Sequence, residues 1–177
     1  GPSRVRNPGL ARLPGTAREV QAIAALWGGD AEVYLRDRAS EENVKGGALA
    51  SARIVHIASH GIFDTDYQAL ALTMRPDATE DGFLLQSEIA ELKIDADLAV
   101  LSACETGRTR SNTLAEPVAG LVLALRSAGV RRTIASLWPV DDDATVELMK
   151  AFYQAVLRSK PYGAALTEAK RALAAGV

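Results

Sequence analysis

The sequence predicts an α/β protein, a three-layer α/β/α sandwich around a mostly parallel sheet. Three observations carry this. Two largely apolar runs, Ile54 to Ala58 broken only by His56 and Leu98 to Ala103 broken only by Ser102, are bounded by polar and turn residues, as strands buried on both faces of a parallel sheet are. Segments with helical period stand between and after them. Strand and helix alternate throughout, and such alternation lays crossover helices over a parallel sheet. The 177 residues suffice for one domain with a sizeable core.

The elements follow in chain order. Gly1-Pro2-Ser3 read as a remnant of tag removal, and the prolines and glycines up to Gly15 as an extended entry segment. Residues 1–10 are therefore set apart from a domain spanning 11–177. Thr16 and Glu19 have capping-box spacing, and Val20, Ile23, Ala24 and Trp27 recur at helical period before Gly28-Gly29. Ala31 to Leu35 is a strand candidate, and Ser40 can cap a helix to about Leu49, with Glu41 and Glu42 in its first turn. Arg53 to Ser59 is a strong strand that ends in His60-Gly61. Ala69 to Thr73 is a possible added strand, and Gly82-Phe83-Leu84 leads into a short helix from Gln86 to Leu92 capped by Ser87. The strand from Asp97 ends in Cys104, and a polar loop runs from Gly107 to Thr113. Pro117 suits the first turn of a helix to Ser127, ended by Gly129. Arg132 to Leu137 is the next strand, stopped by Trp138-Pro139; helices follow from the aspartates 141–143 and from Gly163 to Ala174.

Composition narrows the function classes. A net charge of −2 supplies no global field for nucleic acid or an anionic membrane, and no apolar run is long enough to span a bilayer. A single cysteine forms no internal disulfide and fits a reducing compartment, so the expected location is cytoplasmic. Two histidines and one cysteine without a carboxylate at ligand spacing make a weak zinc signal, and no phosphate-binding glycine pattern follows a strand. No metal or cofactor is expected. Arg108 and Arg110 read as a solvated loop, and Asp141, Asp142 and Asp143 as helix-capping residues before a cation site.

The reactive candidates are His60 and Cys104, each at the end of a strong strand. Neighbouring strands lie about 4.8 Å apart, so an imidazole and a thiol on one rim could meet. The thiol needs that partner, because only the thiolate is a strong nucleophile and its ordinary pKa is about 8.5. The Gly61 and Cys104 backbone N–H groups could face a developing oxyanion. The reaction class would be acyl transfer, most simply peptide hydrolysis through a thioester. Against this, a lone buried cysteine is usually a small core residue. His56, in mid-strand on the same face as His60, reads as a hydrogen-bonded core histidine. Trp138, Asp141 and Asp142 could line a pocket, or could plug the sheet end and cap a helix.

Three ordered segments, Ile57-Ala58-Ser59-His60-Gly61, Leu101-Ser102-Ala103-Cys104-Glu105-Thr106-Gly107 and Ala135-Ser136-Leu137-Trp138-Pro139-Val140-Asp141-Asp142, together resemble the CHAT domain. This caspase-like peptidase domain occurs with tetratricopeptide repeats in many bacterial proteins. Leu13-Pro14-Gly15 looks like the family's usual start, and the resemblance covers roughly residues 11–175. It implies a caspase–hemoglobinase fold and a cysteine endopeptidase acting on a protein or peptide, with His60 as base and Cys104 as nucleophile. It also implies Gly61 and Cys104 amides as the oxyanion hole, and a pocket near Trp138, Asp141, Asp142 and Glu105. Regulatory or sensor regions outside this chain are the implied partners. Glu116-Pro117 stands where the family often has Gly-Glu, and a final strand usual in the family is expected to be missing after Val177. The other reading is a caspase-like interaction module without turnover.

Overall fold

In the computed structural model the described residues are 10–63, 67–75, 78–105, 115–136 and 142–176; for 103–105, 115–117 and 142 the description covers the backbone only. The chain divides into two compact units, one of residues 1–12 and 34–139, the other of 13–33 and 140–177.

The first unit holds the sheet. Its strands are β1 (Ile54–Phe63), β2 (Gln68–Ala71), β3 (Phe83–Leu85), β4 (Leu98–Glu105) and β5 (Thr133–Ala135). Their order is β3-β2-β1-β4-β5. β1, β4 and β5 are parallel neighbours, as the buried apolar runs predict, whereas β2 runs antiparallel to both β1 and β3. The sheet is therefore mixed, with its parallel part at β1, β4 and β5. β1 is also longer than expected. It does not end at His60-Gly61 but continues to Phe63, because β2 takes over the pairing there, with His60 opposite Ala71 and Phe63 opposite Gln68.

One face of the sheet carries the main core of this unit. Val55, Phe63, Leu70, Leu84, Ala99 and Leu101 pack with Ile89 of α3 (Gln86–Glu91) and with Val118, Leu121, Ala124 and Leu125 of α4 (Ala115–Ser127). These strand positions alternate with His56, Ala58 and His60, so the pleat puts His60 on the other face. Gly129 ends the α4 turn at φ +104, and an added Cβ there would lie 2.6 Å from the Ile94 carbonyl oxygen. Glycine is the residue that fits.

The smaller elements depart from expectation in instructive ways. Residues 31–35 are extended but pair with no strand among the described residues; Tyr34 instead lies under the Arg38 guanidinium at 4.7 Å. Ser40 does cap α2 (Glu41–Asn43), accepting the Asn43 N–H at 3.4 Å, and the helix continues to about Leu49 as expected, but it widens over Val44–Ala48 and is kinked at Gly47, φ +93. β3 is an unexpected strand, and the helix after it is capped by Glu88, which accepts the Leu85 N–H at 2.8 Å, not by Ser87.

The second unit is helical: α1 (Pro14–Trp27), α5 (Asp142–Leu157) and α6 (Tyr162–Ala174). α1 begins earlier than its capping-box signal, with Pro14 in the first turn and the Thr16 hydroxyl donating to the Leu13 carbonyl. Tyr153 is buried between Trp27 and Phe152, in edge contacts at 5.1 and 4.8 Å. Burial holds the Tyr153 phenol far above its ordinary pKa. Glu168 ties α6 to the connection that follows α5 by accepting from Arg158 and Lys160. No helix among the described residues is long and apolar enough to cross a membrane.

Candidate active site

β1 and β4 share a long parallel register, from Ile54 opposite Leu98 to Gly61 opposite Glu105. Both strands form because their runs of aliphatic residues are buried, with Val55, Leu98, Ala99 and Val100 each at most 3% exposed. The register fixes what the spacing of the sequence left open. His60 stands directly opposite Cys104, near the C-terminal end of β4. Paired positions share a face of a sheet, and the strand spacing is about 4.8 Å. The row continues on the other side, with Ala71 of β2 opposite His60 and Phe83 of β3 opposite Ala71. Four strands therefore contribute one position each to a row reading Cys104, His60, Ala71, Phe83. The side chains of Cys104 and Glu105 lie outside the described residues.

The imidazole of His60 is half-buried and has an unexpected partner. Its Nε2 lies 2.6 Å from the carbonyl oxygen of Ala11, in the entry segment. A carbonyl only accepts, so Nε2 must carry the proton, and in the neutral ring Nδ1 then keeps its lone pair. Nδ1 is buried and has no hydrogen-bond partner among the described residues. The neutral ring thus has one defined lone-pair nitrogen, Nδ1. Ala11 escapes any reading of residue types, because every residue offers the same backbone acceptor. Its neighbour Leu10 packs against the small apolar cluster of Ile62, Ala69 and Phe83.

Of the other predicted residues, Gly61 is buried between Leu70 and Glu105. His56 is half-buried in mid-strand opposite Val100. Asp142 opens α5, but its side chain lies outside the described residues, as do Trp138 and Asp141 altogether. Arg108 and Arg110 also fall outside them. Asp143 pairs with Arg18 at 2.9 Å on the surface of the second unit.

A second charged cluster braces the β2–β3 edge. Lys45 Nζ lies 2.7 Å from a carboxylate oxygen of each of Glu41, Glu80 and Glu88. Glu41, 1% exposed, also accepts the Gly82 N–H at 2.9 Å. The three carboxylates converge within 4.8 Å, close enough for a metal, but the lysine ammonium lies among them. Burial works against the Lys45 charge, yet the three carboxylates outweigh it and hold its pKa well above the ordinary lysine value. Burial pushes the Glu41 pKa up, opposed by Lys45.

The model of one family, described as the CHAT domain, matches residues 3–176. The chain belongs to the CHAT domain family. Comparison with curated proteins gave no match. CHAT domains are caspase-like and related to peptidases, and the mixed sheet of this one, flanked by helices, agrees with a caspase-like fold.

Proposed function

We propose that this CHAT domain is a cysteine endopeptidase in which Cys104 attacks a peptide carbonyl and His60 is the general base. The observation that carries the reading is the register of His60 opposite Cys104 on adjoining parallel strands. The defined tautomer of His60 supports it.

The steps follow from these groups. Nδ1 of His60 takes the thiol proton, and the thiolate forms a bond to the carbonyl carbon. The resulting imidazolium keeps its Nε2–H on the Ala11 carbonyl, where the bond becomes charge-assisted and stronger. The backbone N–H groups of Gly61 and Cys104 are the candidates to receive the oxyanion. The imidazolium then gives its proton to the leaving amine as the C–N bond breaks, leaving a thioester. Water, deprotonated by the same nitrogen, releases the acid and restores the thiol. Trp138, Asp141, Asp142 and Glu105 are the pocket candidates; an acidic lining would favour a basic residue before the cut, and the indole an apolar one. The reading places the domain in the bacterial cytoplasm, under control of regulatory regions outside this chain.

A thiol-directed electrophilic peptide probe tests it. Labelling of the wild type should fall by about 10²–10⁴-fold in His60→Ala, the usual contribution of a general base, and vanish in Cys104→Ala. Equal labelling of wild type and His60→Ala would favour an interaction module without turnover.

A further inference from the structure

We propose that Leu10 is a positioning residue: seated on the Ile62, Ala69 and Phe83 cluster, it holds the Ala11 carbonyl against His60 Nε2 and thereby reserves Nδ1 for the thiol proton. This rests on the peptidase reading for its purpose, though not for its geometry.

The geometry is a two-point attachment. The pleat and the register place Ile62 on the His60 face of β1, with Ala69 opposite it on β2 and Phe83 opposite Ala71 on β3. Leu10 packs against this cluster, with Tyr67, Ala71 and Leu85 around it. One peptide later, the Ala11 carbonyl oxygen meets the ring at 2.6 Å. Ala11 and Arg12 are exposed, so neither side chain supplies an anchor of its own. A carbonyl on a loose segment would leave the imidazole free to exchange its proton between nitrogens, and rings in the other tautomer would present N–H rather than a lone pair to an acid. Packing one aliphatic side chain removes that freedom at the place where it matters. The row across the sheet divides the labour: β4 brings position 104 to one side of His60, and the side of β2 and β3 carries the seat of the entry segment.

The test uses the whole chain and two readouts. ¹⁵N spectra of the imidazoles, with the second histidine assigned through His56→Gln, should show His60 as the Nε2–H tautomer in the wild type. In Leu10→Ala the two tautomers should mix, and labelling of Cys104 by the electrophilic peptide should slow about tenfold, the factor that a net hydrogen bond represents. Leu10→Met keeps the bulk and should restore both, which a general loss of packing elsewhere would not imitate. Leu10→Val, a milder truncation, should give an intermediate mixture and serves if the alanine variant folds poorly. An unchanged tautomer and labelling rate in the truncated variants would overturn the proposal, as would an Nδ1–H tautomer in the wild type. Should the wild type label no faster than His60→Ala, the peptidase reading fails, while the spectra still decide on Leu10.

Discussion

Replacing Lys45 by methionine should destabilise the protein near neutral pH and scarcely at all in acid. The substitution keeps most of the aliphatic length and removes the ammonium from among Glu41, Glu80 and Glu88, all 2.7 Å away. Breaking a buried pair costs about 3–5 kcal/mol, but Lys45, Glu80 and Glu88 are 26%, 32% and 29% exposed and water recovers part of that. A loss of about 2–3 kcal/mol is therefore expected at about pH 7.5. The Glu41 pKa already lies above its unfolded value, so the folded state holds that proton more tightly and stability falls as pH rises through this interval. Without Lys45 the opposing attraction is gone, the interval widens, and more stability is lost above it. Below the unfolded carboxyl value, about 4.3, the carboxyls protonate in both proteins and the difference closes. Lys45 itself, with its raised pKa, adds stability that is full below about pH 10.4 and lost only above it, so its own titration does not enter. Urea denaturation followed by far-UV circular dichroism reads this directly. With a slope of about 2 kcal/mol/M, the midpoint should drop by roughly 1–1.5 M near neutrality and by little at about pH 2.5, well below the unfolded carboxyl value. Equal losses at the two pH values would refute the electrostatic account.

Two further expectations concern packing. Gly82 has φ +81, and an added Cβ would lie 3.0 Å from Met74 Cβ and 3.1 Å from its backbone nitrogen. Gly82→Ala should cost about 1–3 kcal/mol in the same denaturation assay, whereas Gly163→Ala, with open space around it and helical backbone, should be neutral or slightly stabilising. Leu121 is 1% exposed against the sheet, and Leu121→Ala should cost about 2–5 kcal/mol, whereas Leu123→Ala, 62% exposed on the same helix, should leave the midpoint almost unchanged.

The sequence made the centre of this fold legible because burial on both faces writes itself into composition. Ile54 to Ala58 and Leu98 to Ala103 contain only aliphatic and small residues apart from His56 and Ser102, and both are strands. The edge was harder to read. Phe83-Leu84-Leu85 is too short to show a period, and it is a strand only because β2 offers it a ladder. Residues 31–35 show the converse, an extended stretch with no ladder to join. The site divides along the same line. His60 and Cys104, the candidate pair, are rare residue types and stand out in the sequence, but β1 runs on past His60 to Phe63, and the alignment of the two is a matter of register, which depends on tertiary packing. Ala11 could not be found at all, because its contribution is a backbone carbonyl.

The row from Cys104 to Phe83 also bears on when the site comes into being during folding. His60 meets Ala71 through a short connection, which closes readily. It meets Cys104 only across an intervening hairpin and helix, a contact of high sequence separation whose chain entropy must be surrendered first. Chain entropy therefore favours pairing of the imidazole's strand with β2 over its pairing with β4. The parallel β1–β4 closure is the step that brings the two together, and a chain caught before it carries the histidine and the cysteine as strangers.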